Sequence, residues 1–276
     1  MFSKIIPAFL ICFFLVSCGD NSSTPDYDSS LPVNNIPPPS QIMYKVIYVY
    51  PHDSGAFTQG LEYFGGKLYE GTGEYNRSSL RLVDLKTGKV EKSYLIPDKS
   101  IFGEGITIFK NKIYQLTWQS NKVYVYPLEN FNRPVDSLKW NREGWGATND
   151  GKNIIISDGS SNLFFVEPDE KNKNFKVNKI LTVADNRGEV DSLNELELIN
   201  GSIFANRWLT NEIVKIDTST GYVTGTMNLS GLLRQYDPTA KFEDGAVLNG
   251  IAYDTATKKL YITGKDWPRL FEMQLQ

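Results

Sequence analysis

Residues 102–118 read FGEGITIFKNKIYQLTW, and the fold of the chain follows from how this stretch is built. Glu104 stands between Gly103 and Gly105 at the head of an apolar run. Two glycines there argue against a helix, since each costs about 1 kcal/mol in a helix interior. The run turns at Asn111-Lys112, and a second run ends on Trp118, so the stretch reads as a hairpin of two buried strands. A carboxylate that opens a buried strand near aromatic rings is a candidate acid or base with a perturbed pKa. A solvated glutamate at a strand end fits this stretch equally well.

The pattern recurs along the chain. From Met43 onward there is no convincing amphipathic helix, only short runs rich in Val, Ile, Tyr and Phe. Turn signals such as Gly65-Gly66, Asn149-Asp150-Gly151 and Asn200-Gly201 separate them. Five units start alike, on Gln59-Gly60-Leu61, Glu104-Gly105-Ile106, Glu143-Gly144-Trp145, Asn194-Glu195-Leu196 and Asn249-Gly250-Ile251. Repeats of roughly 40–50 residues built from about four strands are the signature of propeller blades. The expected fold is therefore all-β, a five-bladed β-propeller. The last unit holds about three strands before Gln276, so MYKVIYVY (43–50) is expected to complete the last blade and close the ring. A β-sandwich would not explain why the starts are chemically alike. In a propeller the first strand of each blade lines the channel, so Gln59, Glu104, Glu143, Asn194 and Asn249 are expected to converge at one mouth.

The first residues carry Lys4 and then an apolar run from Ile5 to Val16, short of the roughly 20 residues a membrane span needs. Leu15-Val16-Ser17-Cys18 resembles a bacterial lipobox, so residues 1–17 are expected to be a lipoprotein signal peptide and Cys18 the lipidated residue. An ordinary signal peptide with an incidental cysteine is the alternative. Residues 18–41, rich in Ser, Asn, Asp and Pro, read as a disordered tether, and residues 42–276 as the propeller domain. The expected placement is exported and lipid-anchored to the bacterial cell envelope, on its periplasmic or cell-surface side. Both cysteines lie in the signal region, which leaves the body without a disulfide. Twenty-nine basic residues against 32 acidic give a net charge of −3, with no basic face, which argues against a nucleic-acid partner.

Composition also narrows the chemistry. The single histidine, His52, would have to serve any Ser-His-Asp or Cys-His arrangement, and no nucleophile elbow occurs. No histidine cluster suits zinc, and no phosphate loop is present. His52 itself reads as a turn residue. What remains is carboxylate, amide, indole and lysine. Burial near Phe102, Trp118 and Trp145 would raise the pKa of Glu104 and make it the best acid/base candidate. Gln59, Asn194 and Lys265 are placed to orient or polarise a carbonyl. Phe57, Trp118, Trp145 and Trp208 are placed to form an apolar wall. Trp140 and Trp267 read as blade packing. Asn194-Glu195-Leu196-Glu197 offers oxygen ligands for calcium in the channel, without a loop-type calcium motif.

These residues fall in stretches that together resemble the plant-type glutaminyl-peptide cyclotransferase (glutamine cyclotransferase) family. The stretches are FTQGLEY (57–63), FGEGIT (102–107), QLTW (115–118), EGWGATNDG (143–151), SDGSSNL (157–163), NELEL (194–198), FANRWLTNEI (204–213), LNGIAYD (248–254) and ITGKDWP (262–268). They cover nearly the whole body in the family's order. The resemblance implies a five-bladed propeller that converts the N-terminal glutamine of peptides to pyroglutamate and releases ammonia.

By matched motif the resemblance makes Glu104 the acid/base, Phe57, Gln59, Phe102, Trp118, Trp145 and Trp208 the pocket, and Asn194 and Lys265 its polar groups. Asn194 and Trp145 are expected to hold the substrate carboxamide and Lys265 to lend electrostatic support. No cofactor is expected in catalysis; a structural Ca²⁺ is associated with the family, with ligands unassigned here. The expected partners are peptides with N-terminal Gln and the membrane through the anchor, with the protein acting as a monomer. The loop at Asn76-Arg77-Ser78-Ser79, the lipobox and the tether depart from the family pattern. The readings from other classes are a non-catalytic propeller that binds peptide or glycan ends, and a calcium-dependent lactonase-like propeller.

Overall fold

Tight turns set the local architecture. Lys110 and Asn111 both take positive φ, 49° and 62°, and fold Gly103–Phe109 back on Lys112–Thr117 as an antiparallel hairpin. Gly65-Gly66 and Asn200-Gly201 do the same for the corresponding hairpins, the left-handed geometry that matches strand twist. The computed structural model describes residues 35–240 and 245–276. The expected signal segment, Cys18 and most of the expected tether lie outside the described residues.

The described chain is all-β and propeller-like, with one short helix at Leu232–Tyr236. Thr58–Phe64, Lys67–Thr72, Ser79–Val83 and Val90–Leu95 form the first antiparallel fan. The next two fans run from Gly103–Phe109 to Asp136–Lys139 and from Ala147–Asn149 to Asn174–Thr182. One parallel pairing, Lys139 with Asn174, joins their outer strands, and their inner strands also lie side by side, so this sheet is nearly a closed barrel. A further fan runs from Leu193–Ile199 to Val223–Asn228. The last comprises Leu248–Asp254, Lys259–Gly264 and Arg269–Leu275, and Tyr44–Pro51 pairs antiparallel with its third strand. The segment expected to close the ring is thus the outer strand of the last sheet. Ser40–Gln41 already pair in parallel with Val223–Asn228, two residues before the expected domain start.

The inner strands face one another around a channel. Thr58–Phe64 lies beside Gly103–Phe109 and Leu248–Asp254, while Leu193–Ile199 lies beside Leu248–Asp254 and Ala147–Asn149. Apolar side chains fill the spaces between fans: Leu61 and Leu68 meet Tyr261 and Leu270, and Leu80 meets Ile106 and Ile113. Backbones crowd at the axis. A Cβ on Gly60 would stand 2.4 Å from the Ile106 nitrogen, and one on Gly146 1.9 Å from the Asn194 carbonyl oxygen. Only glycine fits at such an approach. Four inner strands shift register at their heads, between Thr58 and Gly60, Gly103 and Ile106, Leu193 and Leu196, and Leu248 and Ile251. Bulges of this kind re-aim side chains, and here they carry Gln59, Glu104, Asn194 and Asn249.

Two expectations need correction. In the third unit the equivalent pair is Trp145-Gly146: Trp145 N donates to Ser157 O, and Gly146 meets the neighbouring backbone. Glu143 lies two residues earlier, in the connection. His52 is no exposed turn residue. It is buried at the seam between the first and last fans, with Nε2 2.9 Å from Glu70 Oε1 and Nδ1 2.6 Å from the Trp267 carbonyl oxygen.

Candidate active site

At one mouth of the channel lies a cavity of about 260 Å³. Gln59, Glu104 and Asn194 reach it from the bulged strand heads, and Lys265 from the turn after Lys259–Gly264. Phe57, Phe102, Trp118, Trp145 and Trp208 form its walls. The sequence-derived residues therefore come together, with one addition, Glu74. Glu74 has φ 84°, left-handed for a residue with a side chain, and nothing in its sequence context marks it.

The aromatic walls form two groups. Phe102 stands edge-on to Phe57, Tyr75 and Trp118, with centroids 6.0, 5.3 and 5.8 Å away. Trp145 and Trp208 meet edge-to-face at 5.3 Å. Gly159 lets Trp145 seat itself, because a Cβ there would fall 2.6 Å from the indole. This explains part of the SDGSSNL stretch. Trp140 and Trp267 pack away from the cavity, on Phe164 and Phe271.

The polar groups are poised rather than satisfied. Glu104 is 5% exposed, and no hydrogen bond from a described residue reaches its carboxylate. Burial pushes its pKa well above the ordinary carboxylate value; Lys265 opposes the shift and Glu143 adds to it. Burial pulls the Lys265 ammonium down, against the pull of Glu104, Asp266 and Glu74. Lys265 Nζ lies 4.7 Å from the centroid of the Phe57 ring. Asn249 Nδ2 donates to Gln59 Oε1 at 3.3 Å, leaving the Gln59 amide donors to the cavity. Asn194 Oδ1 is buried without a partner. The indole N–H of Trp145 is not free for a carboxamide, because it donates to Glu143 at 2.9 Å.

The channel below the cavity holds further acids. Glu195 accepts the backbone N–H of Leu61 and of Ile251, one on each oxygen, and Glu197 accepts that of Tyr253. Burial pushes Glu62 up to about 8, and Glu195 and Glu197 are raised too. Among the described residues no three His, Cys, Asp or Glu side chains are arranged to hold a metal. Asn194 faces the cavity, while each Glu195 oxygen accepts one backbone N–H in the channel.

The arrangement offers two carboxylates, Glu104 and Glu74, one cation and amide donors inside an aromatic pocket lined by no serine, cysteine or histidine. Comparison with known proteins gives that inventory its context. A family model described as glutamine cyclotransferase matches residues 15–275. The chain is 36% identical over 282 residues to a glutaminyl-peptide cyclotransferase of Arabidopsis thaliana, covering 100% of this chain and 84% of that one. It superposes on the crystal structure of Myxococcus xanthus glutaminyl cyclase with a TM-score of 0.78 and 32% identity, covering 86% of this chain and 98% of that one. The chain belongs to the glutamine cyclotransferase family and is an enzyme of the glutaminyl-peptide cyclotransferase class.

Proposed function

We propose that Glu104 carries the proton transfers by which this enzyme turns an N-terminal glutamine into pyroglutamate. The observation that carries the reading is a buried carboxylate, without a hydrogen bond from any described residue and raised in pKa, facing a cavity that also holds Lys265 and Gln59. The substrate's α-amine is the nucleophile. Its nitrogen bonds to the side-chain amide carbon, the amine loses a proton to Glu104, and the tetrahedral carbon then expels the amide nitrogen. Glu104 returns the proton to that nitrogen, which leaves as ammonia. The carboxylate ends as it began, and no outside reactant is consumed.

Three features of the site serve this chemistry. Ring closure is intramolecular, so aromatic walls that hold the folded-back conformer supply much of the acceleration. The Gln59 amide donors and the Lys265 ammonium are placed to stabilise the oxyanion. A raised pKa lets one carboxylate both accept and return a proton near neutral pH. Carboxamide recognition falls to Asn194 rather than Trp145, since the Trp145 N–H is engaged. Phe57, Phe102, Trp118 and Trp208 complete the apolar pocket.

The fold reading extends to five blades. Five fans, each with an inner strand on the channel, and core clusters between neighbouring fans support it. Catalysis needs no cofactor in this proposal. The proposed setting is a lipid anchor at Cys18 on the extracytoplasmic side of a bacterial envelope, with the enzyme working as a monomer on peptides. Support for the anchor is the Leu15-Val16-Ser17-Cys18 sequence itself.

The deciding experiment incubates the purified full chain with a Gln-initiated peptide and follows ammonia and product mass. A loss of one ammonia per peptide is expected. Intact peptide at high enzyme concentration would overturn the reading.

A further inference from the structure

Glu143 stands outside the cavity lining, yet its carboxylate holds two of the lining residues. Its Oε2 accepts the indole N–H of Trp118 and that of Trp145, both at 2.9 Å. Its Oε1 accepts Gln119 Nε2 at 2.9 Å, and its carbonyl oxygen accepts the Trp140 indole at 3.0 Å. Trp118 belongs to the aromatic group around Phe102, and Trp145 to the pair with Trp208. One oxygen therefore ties together two walls that belong to adjacent fans.

We propose that Glu143 is a positioning residue for the cyclisation: its carboxylate fixes Trp118 and Trp145 as the pocket walls and sets a constant negative charge that Glu104 feels. The proposal rests on the cyclisation reading above. An ionised acceptor is what two indole donors on one oxygen call for, because charge-assisted hydrogen bonds are about twice as strong as neutral ones. Burial alone would raise the pKa of Glu143, but the hydrogen bonds from Gln119, Trp145 and Trp118 outweigh it and hold the group low. The charge is therefore present while Glu104 titrates. The charged groups bearing on Glu104 are Lys265, which favours its ionised form, and Glu143, which disfavours it. Glu74 and Asp266 act on Lys265 in turn. With Glu143 in place, Glu104 keeps its proton to higher pH than burial and Lys265 alone would allow.

Two substitutions separate the clamp from the charge. Glu143→Gln keeps a carbonyl oxygen for both indoles and removes the charge. Its KM is expected within about threefold of the unsubstituted enzyme, with the acid limb of kcat/KM moved to lower pH. Glu143→Ala removes both, and kcat/KM is expected to fall about 10–100-fold, mostly through KM, the loss typical of hydrogen bonds to a charged group. In ¹⁵N-labelled full chain, two of the five indole N–H resonances, those of Trp118 and Trp145, should move in the alanine variant while that of Trp267 stays. Should the alanine variant not fold, the glutamine variant's acid limb decides alone. An unmoved acid limb in Glu143→Gln, or unmoved KM and indole resonances in Glu143→Ala, would overturn the proposal. Because the indole resonances need no turnover, an enzyme inert toward the peptide would sink the cyclisation reading while the clamp is still judged by them.

Discussion

Glu70 and Glu104 are buried to a similar depth, 1% and 5% exposed, and their surroundings differ in kind. Glu70, at the seam between the first and last fans, receives His52 Nε2 and Thr58 Oγ1 at 2.9 and 2.8 Å, with Arg81 close by. Burial would raise its pKa, but His52, Arg81 and Thr58 together outweigh that and hold it below the ordinary carboxylate value. The Glu104 carboxylate, at the channel mouth, receives no hydrogen bond from a described residue, and burial prevails. A buried charge that is fully paired holds structure together, and one left unpaired stays available for chemistry. The ring spends its only histidine on the seam and leaves the pocket without one.

Exchanging each acid for its amide should separate the two roles. Glu104→Gln should lower kcat by about 10²–10⁴-fold, the usual contribution of a positioned acid/base. The same substitution should stabilise the fold at neutral pH by roughly 1 kcal/mol, because it removes a charge that burial penalises. Thermal unfolding beside turnover measures both, and a Glu104→Gln enzyme of unchanged rate would break the contrast. Glu70→Gln should do the reverse. Breaking a buried ion pair costs about 3–5 kcal/mol, while activity per folded molecule should hold.

The pH dependence should divide the same way. His52 has its pKa raised from the ordinary 6.5: burial alone would lower it, and Glu70, the Trp267 carbonyl and Asp53 together overcome that. Its stabilisation is complete below 6.5 and is lost as pH rises through the folded value. Glu70, lowered from 4.5, stabilises above 4.5 and loses that as pH falls through its folded value. The seam is therefore firmest between 4.5 and 6.5. In the proposed mechanism activity runs the other way: Glu104 has to shed its proton above a raised pKa, and the depressed Lys265 sets the falling limb. Melting temperature should fall from 6.5 upward while kcat/KM climbs, by about 2–4 °C for each kcal/mol lost in a chain of this size. Glu70→Gln should flatten the first curve and leave the second in place. A shifted activity limb in that variant would show that seam and pocket are coupled.

The difference between the two regions also explains what the sequence disclosed. The pocket was legible because Gln59, Glu104 and Trp145 stand at strand heads beside a glycine that a close backbone approach calls for, and Asn194 keeps the same position on its bulge without one. The reading slipped by two positions in the third unit because Glu143-Gly144 imitates the pattern that Trp145-Gly146 fulfils. The seam was hidden. Glu70 sits mid-strand, and only closure of the last fan by Tyr44–Pro51 brings His52 to it. Glu74 enters the cavity through a left-handed backbone turn that its own residue type does not predict.

The smallest effect concerns how each region holds its cation. At the seam, His52 is held through hydrogen bonds on both ring nitrogens. In the pocket, Lys265 has the face of Phe57, 4.7 Å from its Nζ, and its ammonium donates no hydrogen bond to a described residue. A ring stabilises an ammonium without occupying its N–H groups, so all three donors stay free for a developing oxyanion. Phe57→Leu keeps an apolar wall and removes the ring's attraction, worth about 0.5–2 kcal/mol. The alkaline limb of kcat/KM should then move to lower pH, with a loss of no more than about tenfold near the optimum. Phe57→Tyr, which keeps the ring, should restore the limb. If leucine lowers the rate uniformly across pH without moving that limb, the ring serves only to pack, and the pocket's cation is held by its acidic neighbours Glu104, Asp266 and Glu74.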